Sequence, residues 1–138
     1  PKVTVTDGKK KLTDGTDYFT SYTNNVTVGT ATVTITGKGD YTGTKTISFK
    51  IAPKKVKLTA KTTGTKAALS WKMSSAATGY EIYRSVNGGK FTKVTAATKL
   101  KYTAKLASGK KYRFKVRPYA IVNGEKIYGN WSNVVKTK

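Results

Sequence analysis

One short stretch constrains the fold of this chain more than any other, because it carries a leucine, a glycine and a tyrosine at three-residue spacing. Leu106, Gly109 and Tyr112 have the pattern of a tyrosine corner, in which the phenol hydroxyl hydrogen-bonds back to the turn that enters its strand. Residues 113–119 then alternate polar and apolar side chains, as a half-buried strand does. The stretch therefore predicts a β-sandwich, an architecture used more often for binding and spacing than for catalysis.

The same alternation runs through the rest of the chain, and almost none of it has the pattern of a helix. Apolar residues occupy every second position in short runs: Val3, Val5; Ala31, Val33, Ile35; Ile47, Phe49, Ile51; Leu69, Trp71, Met73; Tyr80, Ile82. Turns such as Asn87-Gly88 and Asn123-Gly124 separate these runs at the spacing of hairpins. Together the patterns predict an all-β protein of short antiparallel strands.

A domain boundary is predicted where Pro53 is followed by Lys54 and Lys55. Proline ends a strand because it has no N–H group for the ladder, and a lysine pair favours solvent. We therefore expect two small β-sandwich modules in tandem, comprising residues 1–53 and residues 54–138.

The charge of the chain is strongly positive and unevenly distributed. Lysine and arginine number 27 against 6 acidic residues, a net charge of +21. Residues 1–53 carry a net charge of +3, whereas residues 54–138 carry +18. A field of this sign attracts anionic partners in a salt-dependent way, and the alternative is that the charge only maintains solubility.

Cysteine and histidine are both absent from the sequence. Disulfides, thiol catalysis and cysteine-based zinc sites are thereby excluded, and so are imidazole bases and ligands. A β-chain rich in threonine, glycine and lysine but without cysteine is typical of bacterial secreted or cell-surface proteins, so we expect an extracellular location. The sequence has no long apolar run, which predicts no membrane insertion. We expect any export signal or anchor to lie outside this segment.

Residues 54–138 resemble a fibronectin type III domain, through Trp71 on the second strand and the corner formed by Leu106, Gly109 and Tyr112. The resemblance implies an immunoglobulin-like sandwich of seven strands. It places strand A at Val56 and Leu58, strand B at Leu69, Trp71 and Met73, strand C at 80–84, a hairpin arm at 91–94, strand E at 100–106, strand F at 112–119 and strand G at 131–135. It also implies a buried Trp71 that packs on Tyr112.

Residues 1–53 resemble the mostly-β repeat modules of large Gram-positive surface proteins. The resemblance is carried by residues 12–18, 21–25, 28–39 and 41–44. Such modules usually open with one more strand than this chain has before Val3. We therefore expect an open sheet edge that can pair with a second copy or another chain, and a Pro1 that marks a fragment boundary or a site of proteolytic release.

No catalytic constellation is recognisable, and we expect no enzyme activity, no cofactor and no metal. The six acids are scattered: Asp7, Asp14, Asp17, Asp40, Glu81 and Glu125. Asp14 and Asp17 could face one calcium ion, but aspartate beside glycine is more often a simple turn. Glu81 alternates with Tyr80 and Ile82, which predicts that its side chain points outward.

The candidate binding site is a basic and aromatic face on strands C, F and G. Its residues alternate with the predicted core: Tyr83, Arg113, Lys115, Arg117, Tyr119 and Trp131. Arginine could recognise anions, and the rings could supply stacking area for a sugar, a base or a protein. The alternative is that Arg117 or Arg113 stacks on Trp131 and joins strand F to strand G. Residues 128–132 resemble half of the Trp-Ser repeat of cytokine-receptor fibronectin domains, where such stacking occurs.

Three functions follow from these expectations. The first is a spacing and adhesive segment of a bacterial surface or secreted protein that binds anionic polymers, such as teichoic acid or acidic glycans, or host-surface partners. The second is a released polypeptide that signals to host cells as the fibronectin-type hormone irisin does, with the basic face or an open edge making receptor contact. The third is an accessory carbohydrate-binding or nucleic-acid-binding module. Against nucleic-acid binding, most of the cations are lysines, which recognise base edges with little specificity.

Overall fold

The computed structural model describes residues 2–137, and the secondary structure in that range is all-β. The chain divides into two compact units, Pro1–Ile51 and Ala52–Lys138. Within residues 2–137 there is no helix long and apolar enough to cross a membrane. The predicted all-β class is therefore confirmed.

The first unit contains a short hairpin and a three-stranded antiparallel sheet. The hairpin pairs β1 (Thr6–Asp7) with β2 (Lys10–Lys11), and the sheet has the order β3 (Tyr18–Thr23), β4 (Gly29–Gly37), β5 (Thr44–Ile51). Ala31 and Val33 alternate with threonines along β4, so they share one buried face of the sheet with Tyr18. Leu12, which follows the hairpin, completes this small core.

The second unit is a sandwich of two antiparallel sheets. One sheet has the order β10 (Lys101–Lys105), β7 (Lys66–Ser70), β6 (Thr59–Thr63). The other has the order β12 (Glu125–Tyr128), β11 (Tyr112–Val122), β8 (Gly79–Val86), β9 (Thr92–Ala97), and β13 (Val135–Thr137) also pairs with β11. The core between the sheets includes Leu69 from one sheet and Ile82, Phe114 and Val116 from the other, all fully buried.

The tyrosine corner is present as predicted. The backbone N–H of Ala107 donates to the Tyr112 hydroxyl oxygen over 2.9 Å, and the ring of Tyr112 is buried in the core. The bond holds the turn before β11 against the sheet that β11 enters, because the phenol is fixed by its packing. The corner thus orients β11, the strand that carries most of the candidate site.

Two expectations about the second strand of this unit were wrong. Trp71 is buried, but the ring it contacts is Tyr80, with centroids 5.4 Å apart, and not Tyr112. Met73 is 75% exposed, although its alternation with Leu69 predicted a core position. The reason is that β7 ends at Ser70, so the two-residue period does not extend to Met73.

The last strand differs from the prediction as well, because it is split. Residues 131–135 were expected to be strand, but β12 pairs with the end of β11 and β13 with its start, which makes eight strands among the described residues of this unit and not seven. Between the two pieces, Ser132 takes over the pairing: its N–H donates to the Val116 carbonyl (2.8 Å) and its Oγ accepts from the Val116 N–H (3.0 Å). The buried backbone of β11 therefore stays paired across the gap.

Asn133, the next residue between β12 and β13, also replaces backbone pairing by hydrogen bonds from its side chain. Its Oδ1 accepts from the N–H of Leu58 and its Nδ2 donates to the carbonyl of Leu58, both over 2.9 Å. A side-chain amide has one donor side and one acceptor side, so it can pair with a backbone residue as a strand would. This pair of bonds joins segments 75 residues apart in sequence.

Candidate functional site

The register of β8 and β11 brings most of the predicted site residues onto one face. Lys115 lies opposite Tyr83, Arg117 opposite Glu81, and Tyr119 opposite Gly79. These residues alternate with the buried ones, so they lie on the sheet surface that faces away from the core. We call the assembly on this surface the ladder; its members are Tyr83, Arg113, Lys115, Arg117, Tyr119 and Trp131, together with Glu81, Phe91, Lys93, Lys126 and Tyr128.

Arg117 is the centre of the ladder. Its Nη2 and Nε donate to Oε2 of Glu81 over 2.8 and 3.2 Å. Its guanidinium carbon lies 3.7 Å from the ring centroid of Tyr128 and 4.7 Å from that of Trp131. Both kinds of partner satisfy the same cation, the carboxylate through hydrogen bonds and the rings through cation–π contacts. The stack of Arg117 on Trp131 is therefore present in the structure.

Lys115 and Tyr83 complete the contacts of Trp131. The Lys115 ammonium lies 3.9 Å from the Trp131 ring centroid and 4.6 Å from that of Phe91. Tyr83 meets Trp131 edge to face, with centroids 4.8 Å apart and an interplanar angle of 78°. The indole is thus in contact with a lysine, an arginine and a phenol of its own chain.

Arg113 does not stack on Trp131, which was one of the two stacking options. Its guanidinium carbon lies 5.4 Å from the Phe91 ring, and its Nη2 donates to the carbonyl of Gly88 (2.9 Å) and to Oγ of Ser85 (3.2 Å). Arg113 therefore holds the turn between β8 and β9.

Tyr119 is buried within the ladder and offers little surface for stacking a ligand. Its ring is only 8% exposed, and the Lys126 ammonium lies 4.3 Å from its centroid. The ring lies against Gly79, where an added Cβ would be 2.5 Å from the phenol oxygen. Glycine at position 79 is therefore required for this close approach.

Glu81 was expected to point outward, yet it is only 2% exposed. It does lie on the outer sheet face, but cations from three neighbouring strands cover it. Lys93 Nζ is 2.6 Å and Lys126 Nζ 3.6 Å from its Oε1, and Arg117 holds Oε2. The Tyr128 hydroxyl donates to Oε1 over 3.3 Å. The predicted face is therefore confirmed, but the burial was not predicted, because alternation indicates the face of a residue and not what covers that face.

The environment of Glu81 stabilises its charged form. Burial alone would raise the pKa of this carboxyl, but hydrogen bonds from Lys93 and Arg117, with their charges, outweigh burial and lower the pKa from 4.5 to about 2. The hydrogen bond to Glu81 likewise raises the pKa of Lys93. The carboxylate is therefore a structural anion and has no proton to exchange near neutral pH.

Sequence reasoning missed Phe91, Lys93, Lys126 and Tyr128 as members of the ladder. A signal existed for Tyr128: a two-residue Asn123-Gly124 turn pairs Val122 with Glu125 and, further along, Tyr119 with Tyr128. No such signal existed for Lys93, because a register shift between Ile82 and Tyr83 alters its pairing with β8.

Of Asp14 and Asp17 in the first unit, Asp17 supports a turn of the backbone. Oδ2 of Asp17 accepts from the N–H of Thr13 over 2.8 Å, as in a side-chain-supported turn. In residues 2–137 no three acids, histidines or cysteines come together as a metal site would require.

The ladder as a whole joins neighbouring strands to one another. Each cation of the ladder already has a ring or the Glu81 carboxylate as partner, and each of the rings Tyr83, Tyr128 and Trp131 is in contact with a cation. Pairing of this kind around the buried Glu81 fixes the position of β12 and the following segment on β11.

Solved structures with a similar fold exist. The structure described as FN3tt mut aligns with 63% of this chain and 96% of its own, with a TM-score of 0.51 and 18% identity. A β-1,2-glucanase from Parabacteroides distasonis aligns with 78% of this chain and 17% of its own, with a TM-score of 0.54 and 22% identity. A Fn3-like protein from Clostridium thermocellum is 26% identical over 61% of this chain and 88% of its own, with a TM-score of 0.43.

The two structures with TM-scores above 0.5 support the fold class. No family model matches the chain, and no curated protein matches it significantly. At the identities of the FN3tt and glucanase structures, the likeness concerns the fold alone. The aligned part of the chain, 63% of it, thus has a fold of the fibronectin type III type.

Proposed function

We propose that this chain is a non-catalytic spacing and binding segment of an extracellular bacterial surface or secreted protein, and that its lysine-rich second unit binds anionic partners. The fibronectin type III fold is compatible with such a role, although a fold does not define a partner. Electrostatics supply the more specific support.

The observation that carries the proposal is the imbalance between cations and carboxylates in residues 54–138. This part of the chain has 17 lysines and three arginines against two glutamates. One of the two, Glu81, is buried and makes all three ion pairs found among the described residues. Glu125 is exposed, so one carboxylate faces solvent among many ammonium groups. A surface of this kind attracts polyanions over distances of a Debye length.

The ladder supports binding by the overall field more than binding by a specific aromatic platform. A platform for a ligand needs free ring faces and free guanidinium edges. Arg117 and Trp131 are instead paired with each other and with their neighbours. The signalling alternative relied on this face for receptor contact, and no structural observation favours it.

Retention on an immobilised polyanion tests the proposal. We expect the chain to be retained on heparin or teichoic acid at about 0.15 M salt and released well below about 1 M, because screening shortens the reach of the field. Trp131→Ala should leave the elution position unchanged in a folded protein. Failure to bind any polyanion would contradict the proposal. Loss of binding in a folded Trp131→Ala variant would instead support binding by a specific aromatic platform.

A further inference from the structure

The outer face of the three-stranded sheet in the second unit carries only small, hydroxyl and lysine side chains. We call it the lysine face; the residues are Thr59, Lys61, Thr63, Lys66, Ala68, Ser70, Lys101, Thr103 and Lys105, and all nine are exposed. They share one side of the sheet because the residues between them, such as Ala67, Leu69 and Ala104, are buried in the core. No carboxylate and no ring belongs to this face.

Two of the four lysines are direct neighbours across strands. Lys66 of β7 lies opposite Lys105 of β10. The next pair of opposite residues, Thr65 and Leu106, is hydrogen-bonded, since the Leu106 N–H donates to the Thr65 carbonyl over 2.8 Å. Pairs alternate in an antiparallel ladder, so Lys66 and Lys105 form the non-hydrogen-bonded type, with Cα atoms only about 4.5 Å apart.

This cross-strand pair costs the folded protein stability on its own. Like charges directly opposite each other are destabilising. Among the described residues, none of the ion pairs involves a lysine of this face, because all three use Glu81. An anion placed between the Lys66 and Lys105 ammonium groups would remove the repulsion. The free protein therefore carries an uncompensated repulsion at this position.

The lysine face also presents cationic and hydroxyl groups in a regular array. Neighbouring strands lie about 4.8 Å apart, and residues two apart on a strand lie about 7 Å apart. Lys101 and Lys105 lie at the two ends of β10, with Thr103 between them. Lysine binds phosphate as a point charge, and the hydroxyls of Ser70 and Thr103 can donate to phosphate oxygens.

We propose that the lysine face binds a linear phosphodiester polymer without bases or sugar rings, such as a poly(glycerol phosphate) chain. Without a ring on this face, a base or a sugar would find no stacking partner, whereas stacking dominates single-stranded nucleic-acid sites. The small Ala68 at the centre keeps the surface flat for an extended chain. This inference rests on the proposed binding of anionic partners and adds the surface and the chemical class of the partner.

The test compares two double variants of equal charge. Lys66→Gln/Lys105→Gln changes the lysine face, and Lys90→Gln/Lys110→Gln removes two exposed lysines elsewhere in the same unit. Binding of poly(glycerol phosphate) of defined length is measured by titration calorimetry. We expect about a tenfold weaker affinity for the first variant and less than about a twofold change for the second. Circular dichroism and thermal unfolding confirm that both variants fold.

A charge reversal supplies an independent readout. Lys105→Glu should raise the unfolding midpoint in the absence of polymer, because it replaces a like-charge pair by an opposite-charge pair. The same variant should bind the polymer more weakly than Lys110→Glu does. Opposite effects on stability and on binding are not expected from a lysine that only adds to the net charge.

Each outcome decides a different question. Equal weakening in the two double variants would overturn the lysine face as the site while leaving binding by the overall field intact. No binding of poly(glycerol phosphate) by an unmodified chain that heparin still retains would overturn this inference alone, and absence of binding to both polymers would overturn the proposed function as well. Tighter binding of a single-stranded DNA of equal charge would overturn the assignment of a ring-free phosphodiester.

Discussion

Glu81 and Arg117 lie directly opposite each other on β8 and β11, and the Arg117 Nη2 donates to the Glu81 Oε2 over 2.8 Å. The carboxylate is buried on the outer face of a sheet, which is possible because Lys93 and Lys126 cover it as well. Burial of one charge without partners would be costly, so the cluster holds its strands in one arrangement. The face that the sequence predicts to be a binding platform thus has a structural role in the folded chain.

Acid should weaken the fold through Glu81. Its pKa in the folded protein is about 2 against 4.5 for an ordinary glutamate, so the stabilisation is complete above about pH 4.5 and is lost as the pH falls towards 2. We expect a loss of up to about 3 kcal/mol over that range. Urea unfolding at a series of pH values measures it. Glu81→Gln should flatten the profile, and a wild-type profile as flat as that of the variant would contradict the assignment.

Trp131→Ala should destabilise the second unit by about 2–3 kcal/mol. The variant loses a half-buried indole and its contacts with Arg117 and Lys115. Denaturant unfolding gives the difference, and Phe91→Ala, which removes the other ring near Lys115, should cost less because it leaves Arg117 stacked. An unchanged midpoint in Trp131→Ala would show that the stack contributes nothing to stability.

Tyr112→Phe should cost about 1–2 kcal/mol, because the Ala107 N–H loses its acceptor while the ring stays in the core. Tyr102→Phe is the matched control, since Tyr102 also packs against the core and no hydrogen bond within residues 2–137 involves its hydroxyl. Equal midpoints for the two variants in thermal unfolding would mean that the hydrogen bond from Ala107 to Tyr112 does not contribute to the stability of the fold.

Asn133→Ala should also be destabilising, by about 2 kcal/mol, although the residue is exposed. The change leaves both the N–H and the carbonyl of Leu58 without their partners. Asn130→Ala, at an exposed neighbouring position, should have little effect. Hydrogen exchange at the Leu58 amide gives a local measure, and unchanged protection of that amide in Asn133→Ala would contradict the pairing.

The sequence predicted the features of the fold that depend on local pattern. Alternation and the spacing of Leu106, Gly109 and Tyr112 were enough for the all-β class and for the corner, because both depend on residues close together in the chain. The extent of a strand was less predictable. Met73 continues the alternation of Leu69, but β7 stops at Ser70, and a two-residue period carries no signal for where a strand ends.

Contacts between strands were harder to predict than the strands themselves. The face of Glu81 was predicted correctly, yet its burial depends on Lys93 and Lys126, which reach it from β9 and β12. Both positions depend on registers set by a bulge and a hairpin. The split of the final strand was equally hidden, since part of the pairing by Ser132 and the pairing of Asn133 with Leu58 use side-chain atoms.

That split has a consequence for how crowded copies of the chain behave. A long, straight outermost strand recruits the backbone of a neighbour and starts fibre growth. Beside β11, the outermost position is held by a four-residue piece and a three-residue piece, with an irregular stretch between them. A second molecule therefore meets two short, separated templates at this border, which resists polymerisation at high local concentration.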